Sequence, residues 1–63
     1  MISEYRVVIT ATFNSAVDRD AAYNAIKNQV QGYNTSNPGK IKRADMTRDD
    51  YFIPDGSGTE KVV

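Results

Sequence analysis

Residues 5–30 constrain the fold most, because a strand pattern runs directly into a helix pattern through a capping signal. Tyr5, Val7, Ile9, Ala11 and Phe13 alternate with Arg6, Val8, Thr10 and Thr12. This is the period-two pattern of a strand with one face on a core. A slip of one residue would turn the whole apolar set toward water. Asn14 and Ser15 then offer oxygens for a helix start, and Asp18 stands three residues after Ser15, a capping box with Asp in the place of Glu. The spacing predicts a strand over residues 5–13 and a helix over residues 16–31. Within that helix Ala22, Ile26, Val30 and then Tyr33 recur at helical spacing, flanked by Tyr23 and Ala25, and define an apolar stripe. Asp18 and Asp20 suit the first turn of the helix dipole. Gly32 reads as a left-handed cap.

Beyond the helix, residues 32–39 are almost wholly turn formers. A loop of that length in so small a domain is a candidate binding segment. Residues 40–47 read as a weaker strand, with Ala44 and Met46 on one face and Ile41, Arg43 and Asp45 on the other. Tyr51, Phe52 and Ile53 form a short apolar run ended by Pro54, and Asp55-Gly56-Ser57-Gly58 has the chemistry of a chain reversal. Residues 59–63 then return as a last strand, making a terminal hairpin with residues 51–54. The expected fold is a single α+β domain over residues 1–63, in the order β-α-β-β(-β). One helix packs on one face of a mostly antiparallel sheet. If the first two strands are parallel, their crossover is right-handed.

Composition closes several routes. A chain of 63 residues buries only about 60% of the surface its unfolded form exposes. Its core supplies a net stability of roughly 3–5 kcal/mol. With no Cys and no His, disulfides are closed to it and a zinc site is disfavoured. Association with itself or a partner is the remedy left. The lack of His also removes Ser-His-Asp and Cys-His nucleophile pairs and any imidazole base, so no enzyme activity, catalytic residue or cofactor is expected. Asp45, Asp49, Asp50 and Asp55 match no calcium-loop spacing and read as turn formers that bond the local backbone. Asp55-Gly56-Ser57-Gly58 lacks the Lys-Ser/Thr ending of a phosphate loop. No run approaches the roughly 18 apolar residues of a membrane span, so the expectation is a cytoplasmic protein that does not enter membranes.

The net charge is zero but divided. Residues 32–48 carry Lys40, Lys42, Arg43 and Arg48 against Asp45, and residues 49–63 carry Asp49, Asp50, Asp55 and Glu60 against Lys61. Two opposite patches steer partners, or the two segments are neighbouring strands whose charges pair across the sheet. The basic set Lys40, Lys42, Arg43 and Arg48, with Tyr33 for stacking, supports an alternative nucleic-acid-binding function. The favoured expectation is a non-enzymatic protein–protein interaction module, regulatory or inhibitory, or a small assembly subunit. Its partner is another protein or a second copy, as a homodimer or a hetero-complex. Tyr33, Tyr51 and Phe52 are the candidate anchors, Tyr being enriched at interfaces. Val62 and Val63 provide an apolar strand edge able to recruit another strand. The β-α-β-β order is similar to that of dodecins, whose flavin-stacking Trp has no counterpart here. In size and style the chain also resembles accessory proteins of bacteriophages and mobile elements, which implies action on a host protein.

Overall fold

The computed structural model describes residues 3–49 and 58–63. Its dominant element is α1, Ala16–Ser36. Ser15 caps it as the sequence predicts: its backbone is extended and its Oγ accepts the Asp18 N–H at 3.1 Å. The Ser15 carbonyl accepts the Arg19 N–H at 3.1 Å, opening the helical ladder. The cap satisfies a donor that the helix itself cannot. Ser15→Ala should therefore cost about 0.5–2 kcal/mol, read as a lower urea midpoint, whereas Asn14→Ala should leave the midpoint in place.

The helix does not end where the sequence suggested. Gly32 lies inside α1, which runs on to Ser36, so the connection to β1 shifts from residues 32–39 to residues 37–44. An interior glycine costs about 1 kcal/mol against alanine, a cost the following turn outweighs. Asn37 closes the helix: its N–H and its side-chain amide donate to the Tyr33 carbonyl at 2.8 and 3.1 Å. Thr35 Oγ1 donates to the Gln31 carbonyl at 3.0 Å. Pro38 has no N–H to continue the ladder and restricts Asn37 before it. The left-handed residue is Gly39, at φ +79°.

Two short strands follow, β1 (Asp45–Thr47) and β2 (Thr59–Lys61), paired antiparallel. Asp45 faces Lys61, Met46 faces Glu60 and Thr47 faces Thr59. Thr47 and Thr59 join their hydroxyls at 2.8 Å, a favourable cross-strand pair. The expected second strand thus contracts to its last three residues, and of the two faces the alternation offered, the one with Ala44 and Met46 is half-buried against the rest of the unit. The last strand is present, but its partner is β1; residues 51–54, the partner expected from the sequence, lie outside the described residues. Past β2, the N–H groups of Val62 and Val63 both donate to the Ala44 carbonyl, at 2.9 and 3.2 Å.

The ribbon meets α1 on a face rotated from the expected one. Tyr23 is buried, with Arg19, Asp20, Lys27, Val30 and Asn34 half-buried beside it. Ile26 and Tyr33, the intended centre of the stripe, are exposed. Each residue advances a helix by about 100°, so the change from Ile26 to Tyr23 and Lys27 is a modest turn about the axis. Its cause is the first strand. Residues 3–13 carry no regular secondary structure, and Tyr5, Val7, Val8 and Ile9 are 94, 85, 71 and 70% exposed. Strand and stripe were expected to cover each other. Among the described residues no strand covers the stripe, and the helix packs on the ribbon instead. What stands is an α+β unit of one helix and a two-stranded antiparallel sheet, without the leading strand that β-α-β-β requires.

Candidate functional site

The seam between α1 and the ribbon is built around Tyr23. Its hydroxyl donates to Glu60 Oε1 at 2.6 Å, and Lys27 Nζ reaches the same oxygen at 3.1 Å. The Arg48 guanidinium lies over the Tyr23 ring, 4.8 Å from its centroid, a distance at which cation and ring attract. Arg48 also donates to Asp20 Oδ1 at 3.3 Å, and Arg19 donates to that carboxylate at 3.2 Å and to the Asp49 carbonyl at 3.1 Å. One turn further along the helix, Gln31 Nε2 donates to the Val62 carbonyl at 3.4 Å. These residues come from α1 at spacings of three and four and from β2 and the end of β1, so a single helix face gathers all of them. They border an open depression of about 140 Å³ lined by Tyr23, Arg48, Gly58, Thr59 and Glu60.

The electrostatics describe a clasp. Burial, then the hydrogen bond to Glu60, pushes the Tyr23 phenol up to about 12. The Tyr23 hydroxyl, then Lys27, holds the Glu60 carboxyl below its usual range. Both groups move away from neutrality, the reverse of a general acid or base poised near pH 7. The pH consequences follow in sign. Tyr23 binds its proton more tightly when folded, so its contribution is complete below the unfolded phenol pKa of about 10. It is lost as pH rises toward about 12. Glu60 is depressed, so its contribution is present above the ordinary carboxylate pKa and is lost as pH falls through the lowered value. An ultraviolet titration should show one late tyrosine that disappears in Tyr23→Phe, and that variant should flatten the alkaline loss of stability between pH 10 and about 12. A titration curve identical in both proteins would contradict the clasp.

The residues singled out by sequence separate under this geometry. Tyr33 is 55% exposed, on α1 rather than in the loop expected to follow it. Val62 is not an open edge: it is one of the two buried apolar side chains among the described residues, and its N–H, like that of Val63, is taken by Ala44. Val62 is instead part of the small core, and Val63 beside it is half-buried. Tyr51 and Phe52 lie outside the described residues. In the basic set, Lys42 holds Glu4, Arg43 holds Asp45 at 3.0 Å and Arg48 holds Asp20; Lys40 is exposed in the turn before β1. Lys42, Arg43 and Arg48 are therefore paired either locally, Arg43 with Asp45, or with Glu4 and Asp20 outside both charged segments, while across the ribbon Asp45 faces Lys61. Tyr23 was foreseen as a flank of the stripe, not as its centre. The signal for its role was distant, since nothing local in the sequence ties residue 23 to residues 48 and 60.

No group of His, Cys, Asp and Glu among the described residues is arranged to hold a metal ion, and no helix among them is long and apolar enough to cross a membrane. No family model, curated protein or solved structure matches the chain.

Proposed function

We propose that this protein is a non-enzymatic protein–protein interaction module, regulatory or inhibitory in effect or a subunit of a small assembly. One observation carries the reading: the apolar surface is on the wrong side of the molecule for a chain that acts alone. Among the described residues only Tyr23 and Val62 are buried apolar side chains, while Tyr5, Val7, Val8 and Ile9 stand in solvent and Ile26 and Tyr33 are exposed on α1. So many large apolar side chains in solvent, four of them within five residues, point to an interaction surface. The segment that carries most of it, residues 5–13, has the composition of a strand and is in no ladder among the described residues, the condition under which a chain adds itself to another sheet. Tyr33 is the anchor on the helix side.

The test is a capture experiment with matched baits. The wild-type chain and a Val7→Lys, Ile9→Lys double variant are immobilised and exposed to extract of the cell that makes the protein, with self-association followed separately. Both substituted side chains are exposed, so helix content by circular dichroism should not change. Binding, to itself or to a foreign protein, should weaken by about tenfold or more, because each Lys loses apolar burial at the contact. A wild-type chain that stays monomeric and retains no protein, or a variant that retains the same proteins equally well, would overturn the reading.

A further inference from the structure

The partner that residues 5–13 fit best is the same nine residues of a second copy. We propose that two chains associate by pairing these segments antiparallel about a two-fold axis at Ile9, a proposal that rests on the interaction reading above. In that register Tyr5 faces Phe13, Val7 faces Ala11 and Ile9 faces its own counterpart, all on one side of the ribbon. The other side sets Arg6 against Thr12 and Val8 against Thr10. On the first side every pair joins apolar to apolar and each aromatic meets an aromatic, a favoured cross-strand combination; on the other, Val8 and Thr10 are both β-branched and Arg6 meets a polar Thr12. Moving the axis by one residue to Val8 or Thr10 shortens the overlap and sets the terminal aromatics against aliphatic residues. Registers with no residue on the axis put the apolar face against the polar one. The segment has no Gly and no Pro to interrupt a ladder.

Charge and area agree. Arg6 is the only charge in the segment, and in this register the two copies of Arg6 are six residues apart along the ribbon. That is about 20 Å at the rise of a strand, well beyond the screening length of about 8 Å in physiological salt. A two-stranded ribbon is not stable by itself, so its apolar face needs a cover. Ile26 and Tyr33 supply it: they are seven residues apart on α1, about 10 Å along one side of the helix, and both are exposed. An aromatic residue buries about 150–250 Å², and an aliphatic one about 60–120 Å² by its transfer free energy. Tyr5, Val7, Ile9, Phe13, Ile26 and Tyr33, several of them partly covered already, give each copy on the order of 600–800 Å². A standard stable interface buries about 800 Å² per partner. The two-fold arrangement is closed, because the same patch is used on both chains.

The absence of native cysteine makes the register directly readable, since any introduced thiol is unique. Across an antiparallel pair the Cα atoms are about 4.5–5.5 Å apart, inside the range a disulfide spans. Ile9→Cys alone should therefore form a disulfide-linked dimer under mild oxidation. Val7→Cys alone should do so about tenfold more slowly or less, because its mate is Ala11; an equimolar mixture of Val7→Cys and Ala11→Cys should restore the rate as a mixed dimer. Sedimentation of the unsubstituted chain should rise from the 7.0 kDa of one chain toward twice that with concentration, and Ile9→Lys should return it to one chain with helix content unchanged. A chain that stays at 7.0 kDa through several hundred micromolar, or Ile9→Cys that oxidises no faster than Val7→Cys, would overturn the proposal. If such a chain still binds a foreign protein and Ile9→Lys abolishes that binding, the second copy is wrong and the interaction reading stands. If nothing binds, both fall.

Discussion

Tyr23→Ala should unfold the helix–ribbon unit. Tyr23 is 6% exposed and is the only large buried side chain that α1 contributes among the described residues. Truncating a buried aromatic costs about 3–5 kcal/mol, which equals or exceeds the roughly 3–5 kcal/mol available to a domain of this size. The loss is not of area alone. Glu60 and Arg48 would keep their charges beside an empty space, deprived of the hydroxyl at 2.6 Å and the ring at 4.8 Å. Circular dichroism and the dispersion of amide resonances should both show loss of the native state at room temperature. Tyr23→Phe keeps the ring and the Arg48 contact, and should lower the urea midpoint without abolishing the transition. A Tyr23→Ala chain with an unchanged midpoint would mean that α1 and the ribbon do not depend on each other.

Local signals were legible in the sequence and distant ones were not. The cap was readable to within Asn14 or Ser15 because an N-cap acts within three residues of itself, and the Asp18 N–H donates to Ser15 as the capping-box spacing suggests. The return of the chain at residue 59 was also local, since turn chemistry acts over a few positions, whereas alternation set Ala44 and Met46 on one face without deciding which face turns inward. The helix end was misjudged for a related reason: Gly32 resembles a stop, but the decision belonged to Pro38 and to the bonds Asn37 makes. The strand over residues 5–13 shows where local pattern runs out. Alternation establishes that a segment suits a half-buried sheet surface; it says nothing about whether the chain itself provides that surface. Here the described residues provide only three-residue strands already paired with each other. The clasp was out of reach for the same reason, because its members are 25 and 37 residues from Tyr23, and a Tyr-Glu-Lys-Arg set has no signature spacing. The helix face was read from the spacing of its own apolar residues, which likewise does not say what element will cover it.

The close of the ribbon yields the second large effect. Gly58 stands where β2 begins, and its carbonyl accepts the Arg48 N–H at 3.2 Å. A Cβ added there would sit 1.7 Å from the Arg48 carbonyl oxygen and 2.9 Å from its carbon. Those are backbone atoms and cannot step aside as a side-chain tip would, so Gly58→Ala must push β2 away from the end of β1. Forcing an extra methyl into occupied space costs about 1–3 kcal/mol, and the displaced Arg48 bond adds about 1 kcal/mol. The displacement also moves Arg48 off the Tyr23 ring, coupling the ribbon's closure to the clasp. A drop of about 2–4 kcal/mol follows, most of the stability of so small a domain. Gly32→Ala is the matched control: nothing lies within 4 Å of its added Cβ, and it sits inside α1. It should raise the urea midpoint by the equivalent of about 0.5–1 kcal/mol. Opposite signs for two chemically identical substitutions separate close backbone approach from helix propensity. Equal and small effects at both positions would place Gly58 elsewhere than against Arg48.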